Sequence, residues 1–138
     1  MSDDFSQCMV SNSRMAARAI TRRYDAYLRP FGMTATQFSL LGAIKLAGGR
    51  TVSELAELRG FDRTTLTRNL DRLEQLGLVL SERASTGNGR IGMVTEQGEA
   101  LIGQVLPAWR KAQAEMKAEL SEAGFDETLR NLKRLATV

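Results

Sequence analysis

The chain has no histidine, one cysteine and two prolines among its 138 residues. Each shortage removes a kind of chemistry. Without histidine there is no imidazole general base and no Ser-His-Asp or Cys-His pair. One thiol closes no internal disulfide, and with no imidazole beside it a Cys/His zinc site is excluded. No run approaches the roughly 18 apolar residues of a membrane span. The start, Met1-Ser2-Asp3-Asp4, is acidic and has no apolar core, so no secretory leader is expected. A lone thiol then fits the reducing cytoplasm. No Gly-rich phosphate loop or nucleophile–base pair stands out, so no catalytic residue, cofactor or metal is expected, and no membrane partner.

What is present suits one domain over 1–138, 43% apolar. The net charge is only +3, but fifteen of the nineteen cations are arginine. Residues 1–94 carry +4 and residues 95–138 carry −1. The densest basic stretch, Arg14 to Arg29, sets five arginines against Asp25. A modest excess of this kind usually marks a solvated surface. Arginine over lysine leans toward bidentate recognition of phosphate or carboxylate.

Apolar spacing predicts a mainly helical chain. Phe5, Cys8, Met9, Ala16, Ala19, Ile20, Tyr24, Tyr27 and Leu28 recur at helical steps, predicting a helix from Ser2 to Leu28 capped by Ser2 and stopped by Pro30 and Gly32. Thr34-Ala35-Thr36-Gln37 and Thr51-Val52-Ser53-Glu54 are capping boxes, opening a helix over 35–47 and a short third one ended by Gly60. Asp62 caps a fourth helix over 63–76, with Leu66, Leu70, Leu73 and Leu76 on one face and Thr64, Arg68, Asp71 and Gln75 opposite. Leu78 to Arg83 reads as a strand, Asn88-Gly89 as a hairpin turn, and Ile91 to Val94 as the return. Thr95 caps a helix over 96–119, which Pro107 should kink. A last helix over 126–136 carries Leu129, Leu132 and Leu135.

Capped helix, glycine turn, capped helix and basic hairpin together make a winged helix-turn-helix: mainly α with a small β-hairpin wing. Such a unit buttresses one helix with another and presents the second to the major groove of DNA. Thr64, Thr65 and Thr67 carry hydroxyls for base edges or phosphates, and Arg63, Arg68 and Arg72 lie among them. Arg83, Asn88 and Arg90 lie on the hairpin, where arginine suits a narrow minor groove. The competing reading is a helix pair that binds no nucleic acid, in a protein-interaction module.

Thr51-Val52-Ser53-Glu54-Leu55-Ala56, the run Asp62 to Glu74, Gly77-Leu78-Val79, Gly32-Met33-Thr34 through Leu41, and Val94-Thr95-Glu96-Gln97-Gly98 resemble the MarR family of transcriptional regulators. The likeness covers about residues 5–120. It implies dimerisation helices over 1–31 and 98–138 around a winged unit over 34–95. It also implies a homodimer on a pseudo-palindromic double-stranded operator, usually a repressor released by a small effector. In that family the wing usually carries Asp-x-Arg, whose carboxylate props the arginine. Asn88-Gly89-Arg90 stands here instead, so Arg90 is expected to be held less tightly.

The same resemblance places an effector cleft between the dimer helices and the winged unit. Arg18 matches an anion-binding position of some relatives, and Met15, Gln37 and Phe38 are candidates to line the cleft. The alternative for Arg18 is a solvated or ion-paired side chain. Cys8 offers a second kind of signal, since peroxide-sensing relatives carry a reactive cysteine near the N-terminus beside two tyrosines. Tyr24 falls near one of those positions, no tyrosine matches the other, and Cys8 is displaced by about two residues. A small core residue is the commoner fate of a free cysteine.

Overall fold

A computed structural model describes residues 3–87 and 89–137. It is mainly helical with one antiparallel hairpin. The order is α1 (Met9–Leu28), α2 (Ala35–Lys45), α3 (Val52–Arg59), α4 (Arg63–Gln75), β1 (Val79–Arg83), β2 (Arg90–Val94), α5 (Glu96–Leu120) and α6 (Glu122–Ala136). Short 3-10 turns cover Phe5–Gln7 and Arg29–Phe31. Among the described residues, no helix is long and apolar enough to cross a membrane.

α2 is the centre of the fold. It touches α1, α3, α4 and β2, so its residues are covered on more than one side. Leu40, Leu41, Ala43 and Ile44 are all buried, whereas three- and four-residue spacing in the sequence marks a single apolar side of Phe38, Leu41, Ile44 and Ala47. A helix surrounded by other elements has little polar face to give it a readable period. Leu28, Met33, Leu55, Leu73, Leu78, Val79, Ile102 and Val105 complete the core around it.

Both capping boxes form, at Thr34/Gln37 and Thr51/Glu54. The first helix departs from expectation. Asp4 accepts the Ser6 N–H at 3.0 Å and caps the first 3-10 turn. Cys8 is then extended (φ −68°, ψ 123°), and α1 restarts at Met9. The Asn12 amide bridges the Ser6 and Cys8 carbonyls at this break. Ser2, the expected cap, lies outside the described residues. At the other end, α6 begins four residues before the expected 126. Ser121 adopts φ 66° and its hydroxyl accepts the Gly124 N–H, which turns the chain straight from α5 into α6. α5 runs without a break through Pro107.

The hairpin is centred elsewhere than the Asn-Gly pair suggested. Val79 pairs with Val94 and Arg83 with Arg90, which puts the centre at Thr86–Gly87, and Gly87 takes φ 76°. Asn88 lies outside the described residues. Burial sets this register. It stacks the buried Val79 against Val94, and the Thr95 N–H then closes onto the Leu78 carbonyl at 3.0 Å. A one-residue slip would turn both valines to the other face.

Gly98, in the first turn of α5, lies against the start of the hairpin. A Cβ there would sit 2.3 Å from the Leu78 carbonyl oxygen and 2.8 Å from Val94 Cγ1. At the exposed Gly103, one and a half turns on, a Cβ meets nothing. Glycine-to-alanine changes at these two sites should therefore have opposite signs. Gly98→Ala should cost about 1–3 kcal/mol through backbone displacement, while Gly103→Ala should stabilise by up to ~1 kcal/mol. Urea midpoints at fixed m-value measure both; an unchanged midpoint for Gly98→Ala would show that α5 does not lock the hairpin.

Candidate nucleic-acid interface and adjoining cavity

The interface is built on α3, a tight turn and α4. Gly60 takes φ 76°, and the Phe61 N–H returns to the Ala56 carbonyl at 2.8 Å, which reverses the chain. Asp62 then caps α4, its carboxylate accepting the Thr65 N–H at 2.7 Å. That N–H, then the Thr65 hydroxyl, and more weakly the charge of Arg68, hold the Asp62 carboxyl below its ordinary value. Leu73 is wholly buried and Leu66 and Leu70 pack against the core. The opposite side of α4 is thereby turned to solvent.

Of the expected contact residues on α4, Arg63, Thr64, Thr67, Arg68 and Arg72 are exposed. Thr65 is half-buried, and its carbonyl accepts the Asn69 amide at 2.8 Å. Arg68 and Arg72 line a polar groove with Gln37, Asn69, Asp71 and Gln75, of about 380 Å³. Two guanidinium groups, two amides on one helix and a third from α2 can donate and accept along the edges of base pairs. Asp71 within the groove sets a negative charge between them, which disfavours indiscriminate phosphate binding.

Arg83 and Arg90 stand opposite one another at the loop end of the hairpin. Like charges directly across a ladder repel, and an anion between them relieves that repulsion. Arg90 is not loosely held, contrary to the expectation drawn from the missing wing carboxylate. Its Nε donates to Ser81 Oγ and its Nη2 to the Ser81 carbonyl, both at 3.0 Å. The wing also rests on α3: a Cβ on Gly89 would lie 2.5 Å from Thr51 Cγ2. The Ser81 brace and the Gly89–Thr51 contact were missed by sequence reasoning, because neither has a local signature.

A second concavity, of about 960 Å³, opens between α1, α2, α5 and the α3–α4 turn. Tyr24, Phe38, Phe61 and Trp109 supply aromatic wall, Lys45 and Arg59 supply cations, and Asp62 and Thr65 bring in the first turn of α4. Tyr24 donates its hydroxyl to Gln113 across the cleft, and burial pushes that phenol up. Lys45 is also paired with Glu99. Of the four expected effector residues only Phe38 lines this space. Ala17, Thr21, Tyr24 and Leu28 form the α1 stripe that faces it, and Arg18 lies about 100° around the helix from Ala17. Arg18 and Met15 are exposed, and Gln37 belongs to the groove beside Arg68.

Cys8 is partly exposed at the N-cap of α1. The Ser11 N–H, then the Ser11 hydroxyl and the Val10 N–H, hold its thiol below the ordinary value. The Tyr24 hydroxyl is engaged elsewhere, with Gln113.

Comparison with known proteins agrees with this geometry. The MarR family model matches residues 31–91. The M. tuberculosis transcriptional regulator MosR, solved in complex with DNA, is 37% identical over 95% of each chain, with a TM-score of 0.81. A variant of E. coli MarR complexed with operator DNA is 27% identical over 97% of this chain and 99% of that one, with a TM-score of 0.80. The multiple antibiotic resistance protein MarR of Salmonella typhimurium is 38% identical over 86 residues, which are 60% of this chain and 58% of that protein. The chain thus matches less than two thirds of the length of that relative.

Asp62 gives the interface a pH signature. A carboxyl whose pKa is lowered on folding contributes stability above its ordinary value, 3.8, and loses it as pH falls through the lowered one. Asparagine also caps helices but does not titrate in that range. The Tm advantage of wild type over Asp62→Asn should shrink as the pH drops from neutral to below 3.8. Asp4 and Glu54, also held low, titrate alike in both proteins and cancel. Parallel Tm curves for the two proteins would exclude an ionised Asp62 cap.

Proposed function

The chain belongs to the MarR family of transcriptional regulators, and on that premise we propose that it is a homodimeric repressor. In this reading it holds a pseudo-palindromic operator and releases it when a small aromatic anion fills the cavity beside α4. The observation that carries the DNA reading is the solvent-facing row of Arg63, Thr64, Thr67, Arg68 and Arg72, set beside the facing Arg83 and Arg90 of the wing. Hydroxyls and guanidinium groups on α4 suit base edges and phosphates in the major groove, and the wing pair suits the adjacent backbone and minor groove.

Exposed apolar side chains support the dimer. Phe5, Met9, Val10 and Met15 project from the N-terminal segment, and Leu129, Leu132 and Leu135 from α6. These are the terminal regions 1–31 and 98–138, outside the winged unit over 34–95. A second copy covers them at the cost of no new fold, and two-fold symmetry then sets two α4 helices about one DNA turn, ~34 Å, apart.

Aromatic walls and the Arg59 guanidinium, beside a Lys45 already paired with Glu99, suit an aromatic carboxylate in the cavity. Its route to DNA is short, because the cavity wall includes Asp62 and Thr65, the capping pair of α4. Cytoplasmic residence follows from this role, and no catalytic role is assigned.

Cys8 carries a second reading, a thiol-sensing repressor. Its thiol sits at a helix N-terminus among N–H donors, which favour the thiolate. Hydroperoxide would be attacked by the sulfur, giving a sulfenic acid and the alcohol.

DNA-binding titrations test both readings on a duplex that the wild-type protein selects from a random pool. Arg68→Ala should cost about 1–3 kcal/mol on the selected duplex and much less on random DNA. Equal losses on the two would demote Arg68 to a phosphate contact, and no binding of wild type at low salt would sink the regulator reading.

The same duplex separates the two signals. An aromatic carboxylate such as benzoate should release it from wild type, less from Arg59→Ala, and equally from Cys8→Ser. Release by cumene hydroperoxide from wild type but not from Cys8→Ser would favour the thiol instead.

A further inference from the structure

Ser81 sits midway along β1, opposite Gly92 on β2. The facing residue has no side chain, so Arg90, the diagonal neighbour on the same face, can reach back to Ser81. It does so twice, to the hydroxyl and to the carbonyl, at 3.0 Å each. The Ser81 hydroxyl has a single proton, and it donates that proton to Glu74 Oε1 at 2.5 Å. Glu74 lies in the last turn of α4. The hydroxyl is therefore oriented: its proton points to the helix and its lone pairs point to the wing arginine.

We propose that Ser81 is a positioning residue for DNA binding, and that the chain Glu74–Ser81–Arg90 sets the wing guanidinium relative to α4. It takes the place of the carboxylate brace that the resemblance led one to expect in the wing. A guanidinium has five N–H donors; two are held by Ser81, and the side chain is otherwise exposed. The remaining three are available to the electronegative floor or the phosphate rim of a narrow, A·T-rich minor groove. The brace also draws Arg90 back along the strand, away from the like charge of Arg83 across the ladder. An arginine held before contact loses less conformational freedom on binding. Because the far end of the brace is on α4, the wing is placed with respect to the helix that enters the major groove, and the two readouts share one frame.

This inference rests on the reading that Arg90 touches DNA, and the test separates the two. The probe is a duplex selected by the wild-type protein, together with a version whose flanking A·T pairs are replaced by G·C. Ser81→Ala removes the hydroxyl bond and the tie to Glu74 but keeps the carbonyl bond, and should bind the selected duplex about 3-fold more weakly, part of the ordering cost of one side chain. Ser81→Thr, which keeps the hydroxyl, should restore binding. The Ser81→Ala loss should shrink on the G·C-flanked duplex and vanish in an Arg90→Ala background. Unchanged thermal unfolding of Ser81→Ala would exclude a general loss of structure. If that variant does not fold, Glu74→Met, which removes the acceptor, should reproduce the pattern while Glu74→Gln, which retains one, does not. Wild-type affinity for Ser81→Ala beside a weakened Arg90→Ala would overturn the brace and leave the wing contact standing. The same Ser81→Ala loss in the Arg90→Ala background would also overturn it. An Arg90→Ala protein that binds like wild type would overturn the wing contact and the brace together.

Discussion

Everything in this molecule is arranged around the burial of α2. Leu40 and Leu41 are adjacent in sequence and both fully buried, so they point to different sides of the helix and each needs its own cover. α1, α3, α4 and β2 provide it. At ~25 cal/mol per Å² of apolar surface, two complete leucines and their neighbours form a major part of the driving force. The arrangement has a mechanical consequence. α1, which carries part of the exposed apolar surface, and α4, which carries the solvent-facing arginines, both pack on this one helix, and interiors of this density transmit displacement rather than absorb it.

The cavity lies in the same frame. It is bounded by α1 and α5 on one side and by the α3–α4 turn on the other, with Phe38 of α2 between them. Its edge is the Asp62–Thr65 cap. A cap is a poor place to absorb a shift, because the first turn of a helix has no intrahelical partner for its N–H groups and depends on the capping oxygen. A ligand that moves this edge changes the start of α4 directly. The wing is tied to the other end of the same helix through Glu74 and Ser81. One element, α4, thus links the cavity, the solvent-facing arginines and the wing.

Local signals in the sequence were read well where they are complete in themselves. Thr34/Gln37 and Thr51/Glu54 close reciprocal hydrogen bonds within four residues, so their pattern alone specifies the geometry. The leucines of α4 repeat on one face because one side of that helix is solvated. Local signals are overridden where a competing interaction is not local. The Asn88-Gly89 pair is a strong turn signal, yet the hairpin centres on Thr86–Gly87 because burial of Val79 against Val94 sets the register. The first helix is broken at Cys8 by Asp4 and Asn12, whose side chains bond to backbone that the apolar period ignores. Arg18 looked suited to an anion, but helix rotation carries it off the cavity stripe.

The amino-acid sequence by itself determined the starts of α2, α3, α4 and α5, the winged helix-turn-helix order and the chemistry left out for want of histidine and a second thiol. Those features depend on residue type and on spacings of a few positions, where backbone geometry is nearly fixed. Only the tertiary structure decided what holds Arg90, which residues wall the cavity, and that Gly98 and Gly89 must lack a side chain. Those depend on which atoms of separate elements come within 3 Å of each other, and packing rather than spacing settles that distance.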